Sequence, residues 1–260
     1  MFHSNLLVAA LILICANTSY GFSAQIDTIA ATDSTEIADP ILLPANSTGD
    51  LDFALDAAGF MGQEGKTYTE FYLLLRPSQF TLEEIETKLY RGKFTIEAVI
   101  YDTTGAEVTR IEEERLYETD QPVLVSRRGH EERVSMDMVV AALDAGIYRA
   151  EVNIRDKNSK KEGSASKLFV ADGYADGSLM VSDLQFSSFV LPDTVAGNRF
   201  SKGGLQVLPN PSRVFEKWAE QPSEGAYQPK IMYVYFEMYN LEPAAAVDMP
   251  GSYDLTYSIT

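Results

Sequence analysis

The chain has 260 residues, 45% of them hydrophobic, and carries 38 acidic against 21 basic side chains for a formal net charge of -17. That is enough apolar material for one large domain, or for two sandwich domains with flanking segments. The charge repels phosphate backbones and anionic lipid, so neither nucleic acid nor a lipid surface is expected as a partner; it suits a soluble acidic exterior, or a surface for cations or a basic protein.

Residues 1–24 contain no Asp, Glu, Lys or Arg, and Leu6 to Ala16 is an uninterrupted apolar run. The run is too short to span a bilayer as an ordinary helix, and small residues follow at Ser19, Gly21, Ser23 and Ala24. A signal peptide over 1–24 is therefore expected, although the first five residues lack the usual Lys or Arg; an uncleaved anchor is the alternative. The expected location is secreted, periplasmic or cell-envelope, with no membrane span in the mature chain. Ile14 precedes Cys15, the only cysteine, where a lipoprotein signal wants a small residue. Removal of the segment leaves a core that holds without disulfides.

Residues 25–50, rich in Ala, Thr, Ser, Asp and Pro, read as a flexible leader; within it Asn46-Ser47-Thr48 matches a glycosylation sequon. Strand patterns begin near Leu51. Thr67 to Leu75 is β-branched and aromatic up to Pro77, and a short helix is expected at Thr81 to Glu86, with Thr81 as cap and Glu84 three residues on. Phe94, Ile96, Ala98 and Ile100 alternate with Thr95, Glu97 and Val99, and Asp102-Thr103-Thr104-Gly105 turns the chain into a return strand, a hairpin. Further strands are expected at 134–140, 148–155 and 166–170. Asp144-Ala145-Gly146-Ile147-Tyr148 has the form of a tyrosine corner, whose hydroxyl bonds back to upstream backbone. About seven strands before Asp172 suggest an immunoglobulin-like sandwich over 51–172.

The Gly- and Asp-rich stretch 173–178 reads as a linker, and 179–260 as a second sandwich. Strands are expected there at 179–186, 204–208, 230–240 and 252–260. Four strands do not close such a sandwich, so the second domain is expected to be incomplete: either the chain is a piece of a longer protein or the missing strands come from elsewhere. The fold expected is all-β, with tandem antiparallel immunoglobulin-like β-sandwich domains.

Chemistry is sparse. Two histidines, His3 and His130, and one cysteine exclude a His/Cys metal site in the mature chain, and Asp172 with Asp176 lack the spacing of an EF-hand calcium loop. His130 sits among alternating charges with no nucleophile elbow anywhere. Glu112-Glu113-Glu114 alternates sides on a strand, so its outward members meet water. Gly203-Gly204 reads as a turn. No enzyme activity and no cofactor are expected. Tyr233, Tyr235 and Tyr239 share one strand face, either an aromatic platform for sugar rings or a protein, or a face packed on a neighbouring domain. Trp218 covers a sandwich edge or marks a contact. Pro209 and Pro211 flank Asn210 and force the chain out of its sheet, leaving Arg213 to lie over an aromatic ring or pair with an acid.

The order Val181-Ser182-Asp183-Leu184-Gln185-Phe186, then Leu208-Pro209-Asn210-Pro211-Ser212-Arg213, then Tyr233 to Leu241 resembles the region upstream of the GWxTD domain in bacterial envelope proteins. Leu73 to Pro77 and Gly146-Ile147-Tyr148 extend the resemblance over roughly 51–260, while no Gly-Trp-x-Thr-Asp stretch occurs. The resemblance implies secretion and β-sandwich domains, and carries no catalytic residues. The function expected is a non-catalytic secreted or envelope-associated structural or interaction module of a larger protein. The alternatives are a carbohydrate- or peptide-binding module using the tyrosine face, or an accessory domain of a hydrolase. A protein or polysaccharide partner fits either binding role.

Overall fold

The computed structural model describes residues 7–15, 40–120, 134–174, 178–194, 197–214 and 230–240. Alternating or continuous apolar, β-branched and aromatic runs make the strands among these segments, and all of their pairings are antiparallel. In chain order they are β1 (Leu7–Cys15), β2 (Ala45–Asn46), β3 (Thr48–Gly49), β4 (Phe53–Met61), β5 (Thr67–Leu75), β6 (Glu83–Glu86), β7 (Leu89–Tyr101) and β8 (Glu107–Thr119). Then come β9 (Ser135–Leu143), β10 (Gly146–Asp156), β11 (Glu162–Ala171), β12 (Met180–Val181), β13 (Gln185–Pro192), β14 (Ser201–Lys202), β15 (Leu205–Pro209) and β16 (Lys230–Tyr239).

They form three sheets. The outer one runs β3-β11-β10-β7-β6, with β8 also on β7; the middle one runs β2-β4-β5-β9; the third runs β1-β16-β13-β15-β14, with β12 also on β16. Outer and middle sheets enclose the main core, where Leu55, Phe71, Leu73, Ile96, Ile100, Val152 and Ile154 are wholly or almost wholly buried. Phe71 meets Phe169 edge-on at 5.1 Å. The third sheet lies on the far face of the middle one through a smaller cluster that includes Ala58, Phe60, Tyr72, Met138, Val207 and Tyr235. The middle strands are thus covered on both sides. That accounts for their nearly continuous apolar runs, where β10 and β11 alternate.

Local chemistry sets the turns. Asp102 Oδ1 accepts from the backbone N–H of Thr104 (2.8 Å) and of Ala106 (3.0 Å), and Gly105 supplies φ +84°, closing the β7–β8 hairpin. The Tyr148 hydroxyl donates to Asp144 O at 3.0 Å, the tyrosine corner the sequence indicated. β15 ends at Pro209, as the flanking prolines require.

Three expectations change. The helix at Thr81 to Glu86 is instead β6: Glu83, Glu84 and Glu86 pair with Arg91, Tyr90 and Leu89, and Lys88 turns the chain at φ +63°. A segment so short cannot nucleate a helix when a neighbouring strand offers partners. The leader ends earlier than expected, because β2 and β3 pair with β4 and β11, and the buried Lys167 ammonium donates to Ile41 O and Leu43 O. Among the described residues β12 to β16 form one sheet rather than a sandwich of their own, and the layer opposite it is the middle sheet. Leu7–Cys15, which lies inside the expected signal peptide, runs as β1 beside β16 in the full chain.

Candidate functional site

The most elaborate polar construction among the described residues lies where the third sheet meets the middle one. Tyr233, Tyr235 and Tyr239 do share a face of β16, but that face is turned inward. Tyr235 and Tyr239 are 0% and 1% exposed and Tyr233 is half-buried, so Tyr235 and Tyr239 form no open platform. Packing decided this: the tyrosine face is what the third sheet lays on Phe60 and its neighbours, with the Tyr235 and Phe60 rings 6.1 Å apart. Trp218, His130 and Asp176 lie outside the described residues.

Glu237 stands between the two buried tyrosines on the same face and accepts from both, from Tyr235 Oη at 2.7 Å and Tyr239 Oη at 2.6 Å. Burial pushes both phenols above their ordinary range, and the bond to the carboxylate adds to it. The Tyr239 oxygen also accepts the Met61 backbone N–H at 3.0 Å, which ties β16 to the end of β4. Tyr174 stacks edge-on against Tyr239 at 5.1 Å and donates to Gly59 O at 3.2 Å.

Gly59 is the second tie. β2 covers only Ala54 and Leu55 of the β4 edge, so the Gly59 amide and carbonyl further along need partners. Asp183 supplies both: its N–H donates to Gly59 O at 3.0 Å, and its Oδ2 accepts from Gly59 N at 2.7 Å. A Cβ at Gly59 would lie 2.9 Å from the Thr67 methyl and 3.3 Å from that carboxylate, so the close approach needs glycine. Burial raises the Asp183 carboxyl above its usual range, against the lowering effect of the Gly59 bond.

Three cations of the third layer then reach three acids, one on each long strand of the middle sheet. Lys202 meets Glu70 of β5 at 2.8 Å, both side chains only 8% exposed, with its ammonium 3.4 Å from the Phe60 ring centre. Burial lowers the Lys202 pKa, opposed by the Glu70 charge and hydrogen bond. Tyr72 donates to Glu70 Oε2 at 2.5 Å and lies 3.0 Å from Gln185 Oε1. Arg213 pairs with Asp56 of β4 at 2.8 Å and also lies 4.8 Å over the Phe186 ring, so both roles open to it from sequence are filled. Arg199 pairs with Asp137 of β9 at 3.0 Å, beside Arg115 at 2.9 Å.

Each of these groups is occupied by its own chain, so the arrangement fixes two layers in register and offers no free acid, base or nucleophile. Glu112 and Glu114 face water and Glu113 pairs with Arg115, as the alternation of β8 implied. No three His, Cys, Asp or Glu side chains gather as a metal site among the described residues. A cleft of about 410 Å³ opens at one end of the sandwich beside Pro77, Leu89, Tyr117, Asp120 and Val134. Its Glu118 is already engaged by Arg91 at 2.5 Å.

Sequence reasoning singled out Arg213 and the tyrosines but missed Asp56, Glu70, Asp137, Asp183 and Lys202. The signal available was the position of Asp56 and Glu70: a lone carboxylate inside each of two otherwise nearly apolar strands, where a buried charge requires a partner. No protein-family model matches the chain, and searches of the curated proteins and of the solved structures gave no match either. No helix among the described residues is long and apolar enough to cross a membrane.

Proposed function

We propose that this chain is a non-catalytic, exported structural or interaction module of the cell envelope or extracellular space. The observation that carries the reading is that the tyrosine strand and its surrounding charges are spent on joining the third sheet to the sandwich. Ionisable groups used for catalysis have to be reachable by a substrate, and Glu70, Lys202 and Asp56 are each more than nine-tenths buried. The charge-free apolar N-terminal segment and the acidic exterior support export. The immunoglobulin-like character of the sandwich and the kinship to GWxTD-associated envelope proteins are part of the same proposal, supported by the strand count and the motifs of the second half.

Fractionation of the native host with the intact mass of the recovered protein tests it. The expected result is protein in the envelope or medium, lighter than 28.8 kDa by the N-terminal segment. Cytosolic protein with an intact N-terminus would refute export. A glycan array should give no signal that depends on Tyr233; one lost in Tyr233→Ala would move the reading to carbohydrate binding.

A further inference from the structure

Sheet edges are where an all-β protein is open to other chains, because each carries a row of unpaired N–H and C=O groups. Most edges here are closed by permanent features. Asp183 caps β4 at Gly59, and Arg199 and Arg115 reach around the edge of β9 to Met138 O. The outer strand β8 carries Glu107, Arg110, Glu112, Glu114 and Glu118, a density of charge that discourages strand addition.

The edge of β16 is treated differently. One side pairs with β12 and β13; the other is covered along nine consecutive residue pairs, Leu7↔Met238 through Cys15↔Lys230, by β1. β1 has the sequence Leu-Val-Ala-Ala-Leu-Ile-Leu-Ile-Cys, with no charge and no proline, and it belongs to the segment read above as removed on export. Removal strips the whole of that edge at once.

We infer that in the processed protein the edge of β16 over Lys230–Met238 is a strand-acceptor site, filled by an extended, uncharged, apolar segment of a partner protein. Backbone hydrogen bonds supply affinity in such a pairing, and the apolar character of the strand supplies selectivity. The seated strand itself shows the chemistry the edge takes. The other long described strands are already committed to their own sheets. A second copy is disfavoured, because each carries a net charge of -17 and β16 itself bears Lys230 and Glu237. The inference rests on the export reading, through the loss of β1.

The test compares the unprocessed full chain with the processed protein, each defined by intact mass. The probe is a labelled peptide of the Leu7–Cys15 sequence carrying Cys15→Ser, with lysines at its ends for solubility. The processed protein should take up the peptide, and amide exchange over 231–238 should slow by about tenfold or more; the full chain should do neither. Strand pairing uses N–H groups of alternate residues. Methylating the peptide nitrogens of Val8, Ala10, Ile12 and Ile14 should therefore differ sharply from methylating those of Ala9, Leu11 and Leu13, one set abolishing uptake and the other sparing it. Equal tolerance of both sets would mean nonspecific apolar adsorption and overturn the inference. So would slow exchange over 231–238 in the free processed protein, whether monomeric, with the chain's own residues covering the edge, or dimeric, with a second copy doing so. A native protein that retains residues 1–24 would instead defeat the export reading, and the mass measurement separates that failure from the others.

Discussion

Between the outer and middle sheets the buried groups are mostly Leu, Ile, Val, Phe and Ala, with Thr67, Thr69 and Lys167 among them, whereas across the middle sheet, under the third one, they include Asp56, Glu70, Gln185, Lys202 and the Tyr235 and Tyr239 pair that Glu237 joins. The first interface is held by area removed from water, about 1.5–3 kcal/mol for each large side chain fully buried. The second adds few apolar side chains but many directional contacts. Buried ion pairs add little net stability, because desolvation offsets their attraction, yet removing one member leaves an uncompensated charge. The two faces of one sheet therefore divide the work: one holds the fold, the other fixes how the third layer sits.

The largest effect should come from the apolar side. Phe71→Ala, at a wholly buried position against Phe169, is expected to cost about 4 kcal/mol in urea unfolding and to lower the midpoint of the whole sandwich. On the charged side, Glu70→Leu strands Lys202 and should cost about 3 kcal/mol. Adding Lys202→Met to it should recover most of that loss. A double variant no better than the single one would mean that the pair stabilises beyond its desolvation cost and would blur the contrast between the two faces.

Tyr148→Phe removes one hydroxyl bond at the end of the main core and should cost about 1 kcal/mol by the same unfolding measurement. Asp183→Asn is expected to have the smallest effect, and of opposite sign. Burial raises the Asp183 pKa above the unfolded value of 3.8, so its folded form binds more protons than the unfolded one between those two values. The stability linked to the protonated form is complete below 3.8 and is lost as pH rises through the folded pKa. An asparagine keeps an acceptor for Gly59 N without the charge. The variant should therefore match the parent in strong acid and exceed it at neutral pH, as thermal melts across pH would show. A parent more stable at neutral pH would mean that the carboxylate–amide bond outweighs its burial.

Much of the main sandwich was legible along the chain. Seven strands of nine or more residues lie between Leu51 and Asp172, the number indicated, and the Asp102 turn, the Tyr148 corner and the exit of the chain at Pro209 are each written in a few adjacent residues. One expectation was overturned and another was left with two outcomes. At Thr81 to Glu86 a local capping pattern lost to an available sheet neighbour. At Tyr235 and Tyr239 the alternation gave the right face, but it could not say which way the face turned. The sign of a second buried side was in β4 and β5, whose apolar residues hardly alternate, yet a run of that kind does not name what covers it.

The sequence by itself determined the all-β class, most strand positions and the turns, because these depend on period-two alternation and on side chains within a few residues of the backbone they bond. Only the tertiary structure decided that β12 to β16 lie on the sandwich as a third layer, that Asp183 closes β4 at Gly59 across 124 residues, and that β1 covers β16. Those contacts join residues far apart in the chain. Their partners are set by the shape and charge of surfaces that exist only once the sheets have formed.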